Sequence, residues 1–178
     1  MKNNIKKWYI VGTLFIIVFG VLLHFLYEWS GNNSFVGLFS AVNESTWEHL
    51  KLLFWPSFFF SIIEYIFIGK DYNNYITAKA VSFYSGILLI IILFYTYTGI
   101  VGDNFIVMDI LIFIVSVVIS QFIGYKITVC NGNVNEIINI ISFVAIVLLA
   151  LAFIFFTVNP PQIPLFKDPV TGGYGIVS

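Results

Sequence analysis

Arginine is missing altogether: the eight basic side chains in 178 residues are all lysines. Without a guanidinium there is no planar fork to grip a phosphate or carboxylate through two parallel bonds. The formal net charge is -1 and no basic stripe is present. That argues against nucleic acid as a partner, because phosphate neutralisation needs several clustered cations. One cysteine, Cys130, rules out an intramolecular disulfide, and its place in a polar turn gives it no chemistry. Charge of either sign is scarce, at 10% of residues, where a soluble domain carries about a quarter. No serine or cysteine stands in an arrangement suited to nucleophilic catalysis, no His-Glu-x-x-His motif occurs, and no internal repeat is visible.

What fills the chain instead is hydrocarbon. It is 60% hydrophobic and 19% aromatic, with a mean hydropathy of +0.97, which predicts an all-α polytopic membrane bundle forming one domain over residues 1–178. Five spans are expected, at about residues 8–27, 45–69, 75–101, 105–123 and 137–158. The first follows Lys2, Lys6 and Lys7 like the core of a signal peptide. It is too long for one, and no small-x-small cleavage site follows it. Pro56 should bend the second span, and Asn131-Gly132 marks the turn before the fifth. Lys2, Lys6, Lys7, Lys70, Lys79 and Lys126 fall at one side, against Lys51 and Lys167 at the other. The positive-inside rule then places the N-terminus in the cytoplasm and the C-terminus outside. Residues 28–44 form an outer loop, with a short interfacial piece expected around Phe35 to Phe39. The tail, 159–178, has too many prolines and glycines for a long helix and too many apolar residues for a solvated end, so it should pack across the outer mouth.

The few polar groups concentrate in one place. Asn43-Glu44-Ser45-Thr46-Trp47-Glu48-His49-Leu50-Lys51 holds two carboxylates, an imidazole and an ammonium at a helix start, where Ser45 and Thr46 offer capping oxygens. Helical spacing sets Glu44, Glu48 and Lys51 on one face, with His49 beside them about 100° round. His24 and Glu28, four residues apart at the end of the first span, reach the same membrane level. Asp109 lies near the outer end of the fourth. The ligand-binding candidates are therefore His24, Glu28, Asn43, Glu44, Glu48, His49, Lys51 and Asp109. At the inner side Glu64 and Lys79 lie at similar depth on adjacent spans and should form a structural ion pair.

Four readings fit this constellation. It is a polar plug fixing the packing of the first two spans, or an outward pocket for a small polar or cationic ligand. It is a divalent-metal site drawing on His24, Glu44, Glu48 and His49, with Glu28 at hand. Or it is a hydrolytic centre using a carboxylate or His49 as general base. Net acidity around Glu28, Glu44, Glu48 and Asp109 favours a cation. Adjacent Glu48 and His49 diverge from the Glu-x-x-His spacing of carboxylate-bridged dimetal bundles.

The run Phe39 to Lys51 and the tail Pro164-Leu165-Phe166-Lys167-Asp168-Pro169-Val170-Thr171-Gly172-Gly173-Tyr174-Gly175-Ile176 resemble a family of small bacterial integral membrane proteins of uncharacterised function. The similarity extends through His24 to Gly31 and nearly the whole chain. A proline is expected where this sequence has Ala41, which affects the lead-in to the second span rather than the charged face. The resemblance implies a multi-pass protein of the bacterial cytoplasmic membrane, in contact with the lipid bilayer, and no activity. Taken together, the expectation is an outward-facing Glu/His site that binds a ligand or cation or serves transport. The alternative is a metal-dependent membrane hydrolase or oxidoreductase. By size the chain is also similar to the substrate-binding subunits of vitamin-uptake transporters, but those have six helices with both ends inside and this chain is one short.

Overall fold

The computed structural model of the chain describes residues 2–130 and 134–176; the expected Asn131-Gly132 turn lies outside them. Five long helices form, α1 (Lys2–Trp29), α3 (Thr46–Phe67), α4 (Tyr75–Val101), α5 (Ile106–Val129) and α6 (Glu136–Val158), with a one-turn helix α2 (Ser34–Gly37) in the first connection. Among the described residues there is no strand, and a lone antiparallel bridge joins Lys167 to Tyr174. All five are long and apolar enough to cross a membrane.

The helices begin where the chain offers side-chain acceptors. Asn33 caps α2, Ser45 caps α3 through the Glu48 N–H, and Asn135 caps α6 through the Ile137 N–H. Gly102, at φ +85°, ends α4 in the left-handed conformation. Two helices outrun the spans expected of them: α1 starts at Lys2 rather than near residue 8, and α5 continues to Val129 rather than stopping near 123. The apolar stretch ends at those points, but no proline stands there and the packed Gly124 does not break α5, so polar residues such as Lys6, Tyr125 and Lys126 are carried within the helices.

Helices α1, α3, α4 and α5 pack in a closed ring, each against the next, and α6 lies on α4. Small residues let α4 and α5 approach closely. Ser116, Ser120 and Gly124 recur every fourth residue on α5; Ser120 and Gly124 face Gly86 and Ser82 of α4, and Ser82 Oγ donates to the Ser120 carbonyl at 2.8 Å. A Cβ on Gly86 would stand 2.9 Å from Leu53 and 3.0 Å from Ser120. Pro56 sits inside α3 and leaves the Leu52 carbonyl without its helical donor. Gly20 of α1 backs onto that carbonyl, so closely that a Cβ there would lie 2.6 Å from the oxygen.

Polarity runs from the middle outward. The most buried of the five helices, α3, is the least hydropathic, and the least buried, α6, is the most. The buried polar side chains include Glu48, Lys51, Glu64 and Lys79, while Ile100, Ile106, Val107 and Ile141 are exposed. Glu64 and Lys79 stand 2.6 Å apart, and the ammonium lies 3.9 Å above the Tyr9 ring. An aromatic cluster of Tyr9, Tyr72 and Tyr75 with Ile5 and Ile68 closes that end.

Candidate functional site

At the other end of the ring, the C-terminal turn of α1 meets the N-terminal turn of α3. His24 Nε2 and His49 Nε2 are 3.2 Å apart. Glu44 Oε2, from the loop just before α3, lies 3.6 Å from the first and 3.4 Å from the second. One carboxylate oxygen and two ring nitrogens thus mark the corners of a nearly equilateral triangle. The side chains are 29%, 48% and 32% exposed for His24, Glu44 and His49, so the triangle opens to the surface.

The local fold fixes each corner. His49 Nδ1 is 2.9 Å from the Ser45 carbonyl, an acceptor, so the ring's δ nitrogen carries the hydrogen and a neutral His49 turns a bare Nε2 lone pair into the triangle. Ser45 is also the cap of α3, so the residue that starts the helix sets the tautomer one turn on. Asn43 accepts from the Ser45 N–H at 2.9 Å and donates through Nδ2 to the Gly175 carbonyl at 2.9 Å, tying the Glu44 loop to the tail. The two imidazoles, His24 first and then His49, hold the Glu44 carboxyl well below the usual carboxylate range by hydrogen bonding and charge.

The other candidates stand elsewhere. Glu28 is exposed, one turn beyond His24, and lines with His24, Asn32, Asn43 and Glu44 a cleft of about 340 Å³. Glu48 points the other way, into the bundle. Its Oε2 is 2.5 Å from Lys51 Nζ and accepts from the Val42 N–H at 3.1 Å. Lys51, with no exposure, also donates to the Gly37 carbonyl at 2.7 Å and to Thr157 Oγ1 of α6 at 2.9 Å. This pair joins α2, α3 and α6 and takes no part in the triangle. Asp109 is held by Tyr97 Oη at 2.5 Å and Asn104 Nδ2 at 3.0 Å, and bears on His49 through space alone.

The tail closes over this end as a folded clasp. Asp168 is buried, and its carboxylate accepts from the Val170 N–H and Thr171 Oγ1. Gly172, at φ +73°, completes the turn. Pro164–Phe166 forms one 3-10 turn, whose Phe166 ring lies 4.6 Å from that of Trp47, itself 4.7 Å from the tilted Phe153 ring of α6. The Asp-Pro-x-Thr-Gly pattern is thus accounted for by a turn rather than by a ligand.

The sequence pattern of DUF6512, a family of unknown function, matches residues 1–176. The chain belongs to that family. No curated protein and no solved structure matches it. The family therefore brings no activity to the triangle, and the chemistry rests on geometry. Sequence reasoning missed Thr157 and the Gly37 carbonyl as partners of Lys51, and the Gly175 carbonyl as the anchor of Asn43. Backbone acceptors leave no residue signature, and Thr157 stands 106 positions away.

Proposed function

We propose that the chain is a multi-pass membrane protein that binds a divalent transition metal, zinc by preference, at the end carrying His24, Glu44 and His49. The observation that carries this is the size of the triangle. Three donors each about 2.0–2.1 Å from a tetrahedral ion lie about 3.3–3.4 Å from one another. The edges here are 3.2, 3.4 and 3.6 Å. The Nδ1 contact of His49 with a backbone carbonyl is the outer bond that orients metal-binding imidazoles. Two imidazoles and one carboxylate, with the fourth position free, are also the donor set of open zinc sites.

The membrane reading is supported by the reversed polarity of the bundle. In water the most exposed helix should be the least apolar, and here it is the most. Buried ion pairs among helices with hydrocarbon outer faces are what a lipid solvent demands. The lysine count of the two ends favours the triangle facing out of the cell, in a bacterial cytoplasmic membrane.

A binding or transport-associated role is the first reading. A metal-dependent hydrolase is the second, favoured by one observation: Glu28 lines the open cleft that His24 and Glu44 also line, and a carboxylate is the kind of group that serves as base toward a metal-bound water. The test is metal analysis of the purified protein after exhaustive dialysis. One zinc per chain, lost in each of His24→Ala, Glu44→Gln and His49→Ala while helicity is kept, supports the site. No zinc retained by the wild type overturns it.

A further inference from the structure

A groove lies toward the opposite end, between α1 and α5, and the metal reading makes no use of it. It measures about 540 Å³ and is lined by Lys6, Tyr9, Ile10, Thr13 and Leu14 of α1 and by Val118, Gln121, Phe122, Tyr125 and Lys126 of α5. Its composition is graded along the helices. Lys6 and Lys126, both exposed, stand at the mouth, and Lys126 Nζ is 5.2 Å above the Phe122 ring. Ile10, Leu14, Val118 and Phe122, all exposed, form the walls. No Asp or Glu is among the lining residues.

Between the two zones is a buried amide. Gln121 is 3% exposed; its Nε2 reaches Ser82 Oγ at 3.5 Å, and its Oε1 has no partner in the protein. It sits five residues before Lys126, about 7–8 Å further along α5. An unpartnered buried amide oxygen is costly, and an amide so placed marks where polar atoms of a ligand belong.

We propose that this groove holds one anionic diacyl phospholipid. The phosphate lies between the Lys6 and Lys126 ammonium groups, the glycerol-ester region reaches the Gln121 amide, and an acyl chain runs along Ile10, Leu14, Val118 and Phe122. Two lysines without an opposing carboxylate select an anion. The apolar walls require that the anion carry hydrocarbon, which excludes free phosphate. A second copy of this chain would have to bring its own acidic group to the mouth and a polar one to Gln121. The proposal rests on the reading of the long helices as membrane spans and is independent of the metal site.

The experiment reconstitutes the full chain in nanodiscs of equal parts phosphatidylglycerol and phosphatidylcholine, then measures retained lipid by native mass spectrometry. One retained phosphatidylglycerol, enriched about tenfold or more over phosphatidylcholine, is expected. In Lys6→Gln/Lys126→Gln the ratio should fall to about one. In Val118→Trp, which fills the groove and keeps both lysines, total retained lipid should drop. Equal retention of the two lipids by the wild type, an unchanged preference in the double variant, or a dimer sealed through Leu14 and Val118 overturns the lipid site alone. A chain that stays in the aqueous phase and never enters the nanodisc overturns the membrane reading with it.

Discussion

His49 hands its Nδ1 hydrogen to the carbonyl of Ser45 at 2.9 Å, and so presents Nε2 to His24 and Glu44. The cap of α3 is thereby an orienting group for the triangle, and the ligands do not contribute alike. Removing a ligand should weaken zinc binding by more than the tenfold to hundredfold typical of a lost orienting contact. Competition titrations with a chromophoric chelator should show a loss above about a hundredfold for His24→Ala and His49→Ala. Glu28→Gln, altering a group in the cleft but outside the triangle, should leave affinity within about threefold. Equal effects of Glu28→Gln and His49→Ala would point to a diffuse acidic surface.

The pH dependence follows from the same geometry. Glu44 is held well below the usual carboxylate range by the two imidazoles. A depressed carboxyl contributes stability that is complete above its unfolded value of about 4.3 and is lost only as pH falls through the lower folded value. Glu44 therefore adds no slope between pH 5 and 8. Metal binding needs both imidazoles neutral, so affinity should fall as the solution is acidified. The slope of log Kd against pH should approach about two in acid, one proton for each histidine. Zinc binding that stays constant down to about pH 4.5 would show that carboxylates alone hold the ion.

Glu48 and Lys51 are both buried, and each is the other's countercharge at 2.5 Å. Lys51→Met strands a carboxylate in the bundle and should destabilise the fold by about 3–5 kcal/mol. Glu48→Leu/Lys51→Met removes both charges and should recover most of that loss. Thermal unfolding in detergent reads both. A single variant as stable as wild type would mean that the pair is hydrated rather than enclosed.

Two helical glycines should respond differently to alanine. At Gly20 a Cβ would meet the Leu52 carbonyl oxygen at 2.6 Å and the Phe113 ring at 2.5 Å, where α1 covers the acceptor that Pro56 frees. Gly20→Ala should cost about 1–3 kcal/mol. At Gly99 nothing lies within 4 Å, and Gly99→Ala should be neutral or stabilise by up to about 1 kcal/mol. The melting temperature of Gly20→Ala should fall, while that of Gly99→Ala should hold or rise.

Much of this architecture is legible in the residues because charge is so rare. Long apolar runs give five helices, and the Asn43 to Lys51 stretch stands out as the one crowded polar patch. The same scarcity makes the patch look like one site when it is two. Glu48 and His49 are neighbours in sequence, but 100° of helical turn sends Glu48 to Thr157 and the bundle interior and His49 to α1. Which of them meets His24 depends on what packs against each face of α3, and hydropathy does not report that. The Ser116, Ser120 and Gly124 stripe of α5 is not singled out by hydropathy, because three small residues four apart leave an apolar run unbroken. Its partner Ser82 lies on another helix and is identified by contact alone.

X-ray absorption at the zinc edge of the loaded wild-type protein tests the central claim most directly. The account predicts a four-coordinate shell of nitrogen and oxygen at about 2.0–2.1 Å, with the outer-atom scattering of two imidazoles, reduced to one in His24→Ala. A six-coordinate oxygen shell with no imidazole signature, or a spectrum unchanged when either histidine is removed, would contradict it.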